Sequence, residues 1–197
     1  PVNAGIAAVL EDNPDLARQV VPDRVHPGPA GHLVMGATLL RAWNAPALVA
    51  RVEIDAAAKA VVAAENAEVS GLEATEGGLA WTGLDRALPL PLSFDDAETE
   101  LAQAAGADLG SLDRQPLVVT GLPAGEYELR IDGQSVGTFA AADLAKGVDL
   151  ARYRTPMRGQ AFAVKWSVGG GHEAQRVRRQ LLVAAAKDPS LQAVADA

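Results

Sequence analysis

Cysteine is absent from the 197-residue chain, which excludes disulfide bonds, thiol catalysis and cysteine-ligated zinc. Aromatic residues make up only 4% of the sequence, so few large side chains are available to anchor a core. No apolar run reaches the roughly 18 residues that a membrane-spanning helix needs. The formal net charge of -8 argues against a surface for nucleic acids or anionic membranes.

A signal peptide is also not visible, because no charged segment followed by an apolar segment stands at the start. The chain opens with PVNAGIAAVLED, which has no Met and is already in helical rhythm. We therefore expect this sequence to be an internal part of a longer protein. Composition alone leaves the compartment open.

The first predicted part, residues 1–45, is helical. Apolar spacing predicts a helix over 3–20 that is broken at Asn13 and Pro14. A second helix is predicted from Pro29 to Trp43, with Pro in its first turn. Two rows of apolar residues along this helix predict that most of its circumference is buried. If so, removal of covering segments would expose Leu33, Leu39 and Leu40 and favour self-association.

The second predicted part, residues 46–155, is rich in β-strands and mostly antiparallel. Apolar and polar residues alternate over 49–55 and again over 126–131. Asp132 and Gly133 predict a tight hairpin turn between two strands. A short acidic helix is predicted after Phe94, and a helix after Phe139 is predicted to end at Gly147.

The third predicted part, residues 156–197, is helical. Gly169, Gly170 and Gly171 are expected to form a loop that joins two helices, and the following HEAQRVRRQ segment reads as a solvated helix face. The glycines lack the strand and the lysine of a phosphate-binding loop. Together the three parts predict an α+β chain.

One short stretch, PDRVHPGPAGHLVMGATLLRAW over residues 22–43, carries the clearest chemical signal. Asp23 precedes His26 by three residues on a proline-rich loop. In such a pair the carboxylate accepts the Nδ1–H of the imidazole, which leaves Nε2 free to take a proton from a nucleophile. The spacing alone leaves a second interpretation open, in which Asp23 caps a turn and His26 is an ordinary loop residue.

The same stretch resembles the last conserved block of SGNH (GDSL-type) hydrolases, in which Asp-x-x-His-Pro is followed by a Gly-His helix. The resemblance implies a three-layer α/β hydrolase domain of which residues 1–45 are the C-terminal helical tail. It also implies that Asp23 is the acid and His26 the base of a catalytic triad, and that His32 is structural. The segments LDRALPLPL and LVVTGLPAGEYELRIDGQSVGTFAAADLAKGVDLA resemble a β-rich extension found after this domain in some bacterial members.

This sequence departs from the family at the nucleophile. The Gly-Asp-Ser block and the Gly-x-Asn-Asp block, which supply the serine and the oxyanion donors, are both absent. The six serines stand in other contexts: Ser70, Ser93, Ser111, Ser135, Ser167 and Ser190. We therefore expect the nucleophile to come from a polypeptide segment outside this chain.

Two other functions stay open at this stage. Asp23, His26 and His32 form a possible ligand set for a divalent metal, whose bound water would replace the serine. Against this, Leu33 and Gly36 beside His32 favour its burial. Alternatively, the chain is a non-catalytic binding domain that keeps an inherited loop. The acidic residues Asp95, Asp96, Glu98 and Glu100 lack the spacing of a calcium loop.

The function that the resemblance implies is hydrolysis of a carboxylic ester by acyl transfer, without a cofactor. A small ester or an acylated carbohydrate is the expected substrate. The family resemblance favours an extracellular or periplasmic location. The expected partners are the missing serine-bearing part or a second copy of the chain.

Overall fold

The computed structural model describes residues 13–186, which form an α+β fold with five α-helices and eight strands over that range. The first two helices are α1 (Pro14–Val20) and α2 (Pro29–Ala42). Asn13 begins α1, because its side-chain oxygen accepts the N–H of Leu16 at 3.1 Å. The part of the first predicted helix before Asn13 lies outside the described residues.

Helix α2 buries only one face. Its buried residues are small or of medium size: Ala30, Gly31, Val34 and Ala37. The prediction that most of its circumference is buried is wrong, since Met35, Leu39 and Trp43 on the second apolar row are exposed. Leu33 and Leu40 are half-buried. The α2 sequence is therefore apolar over more of its surface than the described residues cover.

The strands follow as β1 (Arg51–Asp55), β2 (Ala60–Glu65), β3 (Ala67–Thr75), β4 (Gly78–Asp85), β5 (Pro116–Thr120), β6 (Glu126–Ile131), β7 (Gln134–Ala140) and β8 (Val148–Asp149). A four-stranded sheet has the order β2-β1-β5-β8, and two ribbons pair β3 with β4 and β6 with β7. All pairs are antiparallel except β1 with β5, which is parallel. The predicted turn between β6 and β7 is confirmed, with φ of 49° at Asp132 and 76° at Gly133.

Between β4 and β5 the chain returns to the helical part. Helix α3 (Ala97–Ala104) begins at Asp96, whose carboxylate accepts the N–H of Thr99 at 2.7 Å. A 3₁₀ turn, Leu109–Ser111, follows. One apolar core joins these segments to α1 and α2, and its buried members are Val20, Ala30, Val34, Ala37, Ala102, Ala105, Ala107 and Leu109. Residues far apart in sequence thus form one helical layer.

A second apolar core lies on the sheet beside helix α4 (Ala141–Lys146), which ends at Gly147 as predicted. Its buried members are Leu117, Val119, Leu144, Val148 and Leu150. Leu150 opens a second 3₁₀ turn, Leu150–Arg152, which leads to the last helix.

The last helix, α5 (Pro156–Ala185), is continuous for 30 residues. The predicted loop at Gly169, Gly170 and Gly171 is therefore wrong. Each glycine in a helix interior costs only about 1 kcal/mol relative to alanine, and no proline lies between Gly171 and the end of α5 at Ala185. Between Arg158 and residue 184 the only buried residues of α5 are Arg158 and Ala161. Within residues 13–186 no helix is both long and apolar enough to cross a membrane.

Candidate active site

Asp23 and His26 form a hydrogen-bonded pair on the loop between α1 and α2. The distance from Asp23 Oδ2 to His26 Nδ1 is 2.7 Å. The other carboxylate oxygen, Oδ1, accepts the backbone N–H groups of Val25 at 2.9 Å and of His26 at 2.6 Å. One carboxylate therefore holds both the backbone and the ring of His26.

This arrangement depends on a local feature of the backbone. Arg24 has a φ of 64°, in the left-handed region that non-glycine residues seldom adopt. The tight turn at Arg24 lets the chain fold back, so that the N–H groups of Val25 and His26 point to the preceding Asp23. Asp tolerates such a turn because its short side chain bonds to backbone two or three residues on.

The hydrogen bonds determine the ionisation of Asp23 and which ring nitrogen of His26 carries a proton. The N–H of His26, followed by its ring and by the N–H of Val25, lowers the pKa of Asp23 to about 2. Asp23 is therefore a carboxylate at neutral pH and only accepts hydrogen bonds. Consequently Nδ1 of His26 carries the proton, and the neutral imidazole has its lone pair on Nε2.

The pair faces solvent, since the side chain of His26 is 80% exposed and that of Asp23 is 55% exposed. In the part of the chain that the structure describes, no serine hydroxyl is hydrogen-bonded to His26. Two of the serines instead donate to backbone carbonyls: Ser111 to Asp108 and Ser167 to Ala163, both at 2.9 Å. The structure thus brings together an acid and a base without a nucleophile.

His32 does not join this pair. Its Nδ1 lies 2.9 Å from the carbonyl oxygen of Gly28, one turn earlier, and its side chain is exposed. The prediction that His32 is buried is wrong, because the packed face of α2 carries Ala30, Gly31, Val34 and Ala37, and His32 lies off that face. Across residues 13–186 no group of three His, Cys, Asp or Glu side chains is placed to hold a metal ion. The arrangement does not favour the metal site with Asp23, His26 and His32.

The acidic run after Phe94 is likewise divided among separate partners. Asp95 pairs with Arg154, Asp96 caps α3, and Glu98 accepts the N–H of Ala30 at the start of α2. These carboxylates do not converge on one point. The contact of Glu98 with α2 was not predicted from the sequence, which has no local signal for it.

A buried polar group at Asp113 was also not predicted from the sequence. The carboxyl of Asp113 is 1% exposed, and one of its oxygens accepts the N–H of Leu90 at 3.0 Å. Its other oxygen and the side-chain oxygen of Gln115 are buried without a hydrogen-bond partner in the described structure. No sequence pattern marks Asp113, since aspartate is normally a surface residue.

Comparison with known proteins gives one informative relative. No family model and no curated protein matches the chain. A solved structure described as a gut microbial diltiazem-metabolizing enzyme matches with a TM-score of 0.72 and 31% sequence identity. The match covers 92% of this chain but only 41% of that chain, so this sequence spans less than half of its relative. The chain is therefore similar, in fold and in sequence, to one part of a larger enzyme.

Proposed function

We propose that this chain carries the acid–base half of a serine-type carboxylic ester hydrolase. The observation that carries the proposal is the 2.7 Å hydrogen bond from His26 Nδ1 to Asp23 Oδ2, with Nε2 free on the solvent side. The serine and the oxyanion donors would come from a polypeptide segment that precedes this sequence in a longer protein.

The solved relative supports this proposal in two respects. It is described as an enzyme that metabolizes diltiazem, a small organic molecule, so chemistry on small molecules fits a chain with 31% identity. The present sequence corresponds to 41% of that chain, which leaves most of the relative to supply other parts of a site. The resemblance of residues 22–43 to the Asp-x-x-His block of SGNH hydrolases adds the expected reaction class.

His26 would act first as a general base. Its Nε2 takes the proton from the serine Oγ as that oxygen attacks the ester carbonyl, and the imidazolium is stabilised by Asp23. Collapse of the tetrahedral intermediate breaks the ester C–O bond, and Nε2 returns the proton to the leaving alcohol. A water molecule then repeats both steps on the acyl-enzyme and releases the carboxylic acid. A short-chain ester or an acylated carbohydrate is the proposed substrate.

The test compares two polypeptides after treatment with a fluorophosphonate, using intact mass and turnover of a short-chain nitrophenyl ester. The 197-residue chain is expected to show neither an adduct nor turnover. The same chain preceded by its natural upstream segment is expected to show one adduct, mapped to a serine before Pro1, and turnover. A stoichiometric adduct on a serine within these residues would overturn the division of the site that we propose.

Matched variants of the longer polypeptide test the roles of the pair. His26→Ala is expected to lower kcat by at least about 1,000-fold, because the serine loses its base. The control His172→Ala changes an exposed histidine on α5 and should leave kcat unaltered. Turnover that persists in His26→Ala and disappears with a chelator would instead support a metal-bound water. A polypeptide with neither adduct nor turnover would support a binding domain.

A further inference from the structure

Glu98 contacts the first turn of α2, which directly follows the Asp23–His26 loop. Its Oε2 accepts the backbone N–H of Ala30 at 3.2 Å, across 68 positions of sequence. Ala30 lies in the first turn of α2, where backbone N–H groups have no partner within the helix. The N-cap residue of α2 is Gly28, which has no side chain to satisfy them. Glu98 of α3 therefore supplies the cap that the local sequence lacks.

The first turn of α2 is in turn joined to the loop that carries His26. The N–H of Gly28 donates to the carbonyl of Val20 at 2.9 Å, which closes the loop on itself. A Cβ on Gly31 would lie 2.7 Å from that carbonyl oxygen and 2.8 Å from Cβ of Pro27. Helix α2 and the loop are thus in close contact at Gly31.

We propose that Glu98 is a positioning residue for His26, acting through the N-terminus of α2. A carboxylate at a helix N-terminus satisfies an N–H group and complements the helix dipole, so it holds the first turn in place. Because this turn closes the loop, its position determines where Nε2 of His26 lies. Helix α3, which follows the β3–β4 ribbon, would then help to position the catalytic base.

The first test uses the 197-residue chain, so it does not depend on the proposed hydrolase activity. Glu98→Ala is expected to speed hydrogen exchange of the Ala30 amide about fivefold, as for loss of a helix cap. The same variant should shift or broaden the NMR signal of the His26 Nδ1 proton. Glu98→Gln keeps an oxygen that can accept the N–H and should restore most of both signals.

The matched control is Glu100→Ala. Glu100 is exposed in the same first turn of α3, so this change has the same effect on helix propensity and on net charge. It should leave both NMR measurements unaltered. Equal responses in Glu98→Ala and Glu100→Ala, or no response in either, would overturn the positioning role.

The second test rests on the proposed function and uses the longer polypeptide. Glu98→Ala is expected to lower kcat by about 10- to 100-fold with little change in KM, because a misplaced base costs rate more than binding. Glu98→Gln should recover most of kcat. If Glu98→Ala alters the NMR signals but the unmodified longer polypeptide has no hydrolase activity, the proposed function is refuted and the positioning role stands. Full activity in Glu98→Ala beside an inactive His26→Ala would refute the positioning role alone.

Discussion

The backbone N–H of Leu90 donates to the carboxyl of Asp113 at 3.0 Å, in a place from which water is almost excluded. Burial, and to a smaller extent the nearby charge of Asp149, raises the pKa of Asp113 from 3.8 to about 6. Arg158 opposes this shift but does not form an ion pair with Asp113 in the described structure. The carboxyl therefore titrates in a mildly acidic range.

This titration predicts a specific pH dependence of stability. Between about pH 4 and pH 6 the folded protein binds a proton on Asp113 more readily than the unfolded chain does. Asp113 should therefore lower the free energy of unfolding by about 1–2 kcal/mol as the pH rises through that window, with no further loss above it. Asp113→Asn removes the titrating group and keeps an oxygen for Leu90.

The measurement is urea unfolding of the wild type and Asp113→Asn from pH 4 to pH 7.5. The difference between their unfolding free energies should change in favour of the variant as the pH rises to about 6, and then level off. If the difference in unfolding free energy between the wild type and Asp113→Asn did not change with pH, the pKa of Asp113 would not be raised.

Gly31 and Gly36 lie in the same helix but should respond oppositely to alanine. At Gly31 a Cβ would come within 2.8 Å of Val20 and Pro27, so Gly31→Ala should cost about 1–3 kcal/mol of stability. At Gly36 a Cβ would meet nothing within 4 Å, so Gly36→Ala should add up to about 1 kcal/mol through helix propensity. Thermal unfolding, monitored by circular dichroism, should show a lower Tm for Gly31→Ala and a higher Tm for Gly36→Ala. Equal shifts in Tm would contradict the close contact between α2 and the loop.

Gly133 tests the β6–β7 turn. Its φ of 76° disfavours residues with a Cβ, and branched ones most of all, although open space surrounds it. Gly133→Val should therefore cost about 1–2 kcal/mol by backbone strain alone. Ser135→Val places the same side chain on the adjoining strand, where it should be neutral or stabilising. If both valines had the same effect on chemical unfolding, the positive φ would be wrong.

The three glycines of α5 test whether the helix is continuous. A Cβ added at Gly169, Gly170 or Gly171 would meet no atom within 4 Å. None of the three glycines has a positive φ. Replacement of all three by alanine should raise helicity and stabilise α5 by about 1 kcal/mol per residue. Gly147→Ala, at a φ of 103°, should destabilise α4. A loss of helical circular dichroism signal in the triple variant would restore the loop that the sequence predicts.

Much of the candidate site could be predicted from the sequence because its geometry is local. Asp23 and His26 are three residues apart, and a turn of that length can bring a carboxylate to a following N–H and ring. His32 was placed correctly on the helix but not at its surface. Its environment depends on which face of α2 meets α3, a choice that no local pattern encodes.

The chain by itself determined the elements whose signals lie within a few residues: the acidic start of α3 after Phe94, the turn at Asp132 and Gly133, and the end of α4 at Gly147. Side-chain acceptors and positive φ angles act over one turn, so they can be seen in the sequence. Only the tertiary structure decided the parallel pairing of β1 with β5, the burial of Asp113 and the contact of Glu98 with Ala30. These join residues dozens of positions apart, and their energy comes from the packing of whole layers, which no short stretch specifies.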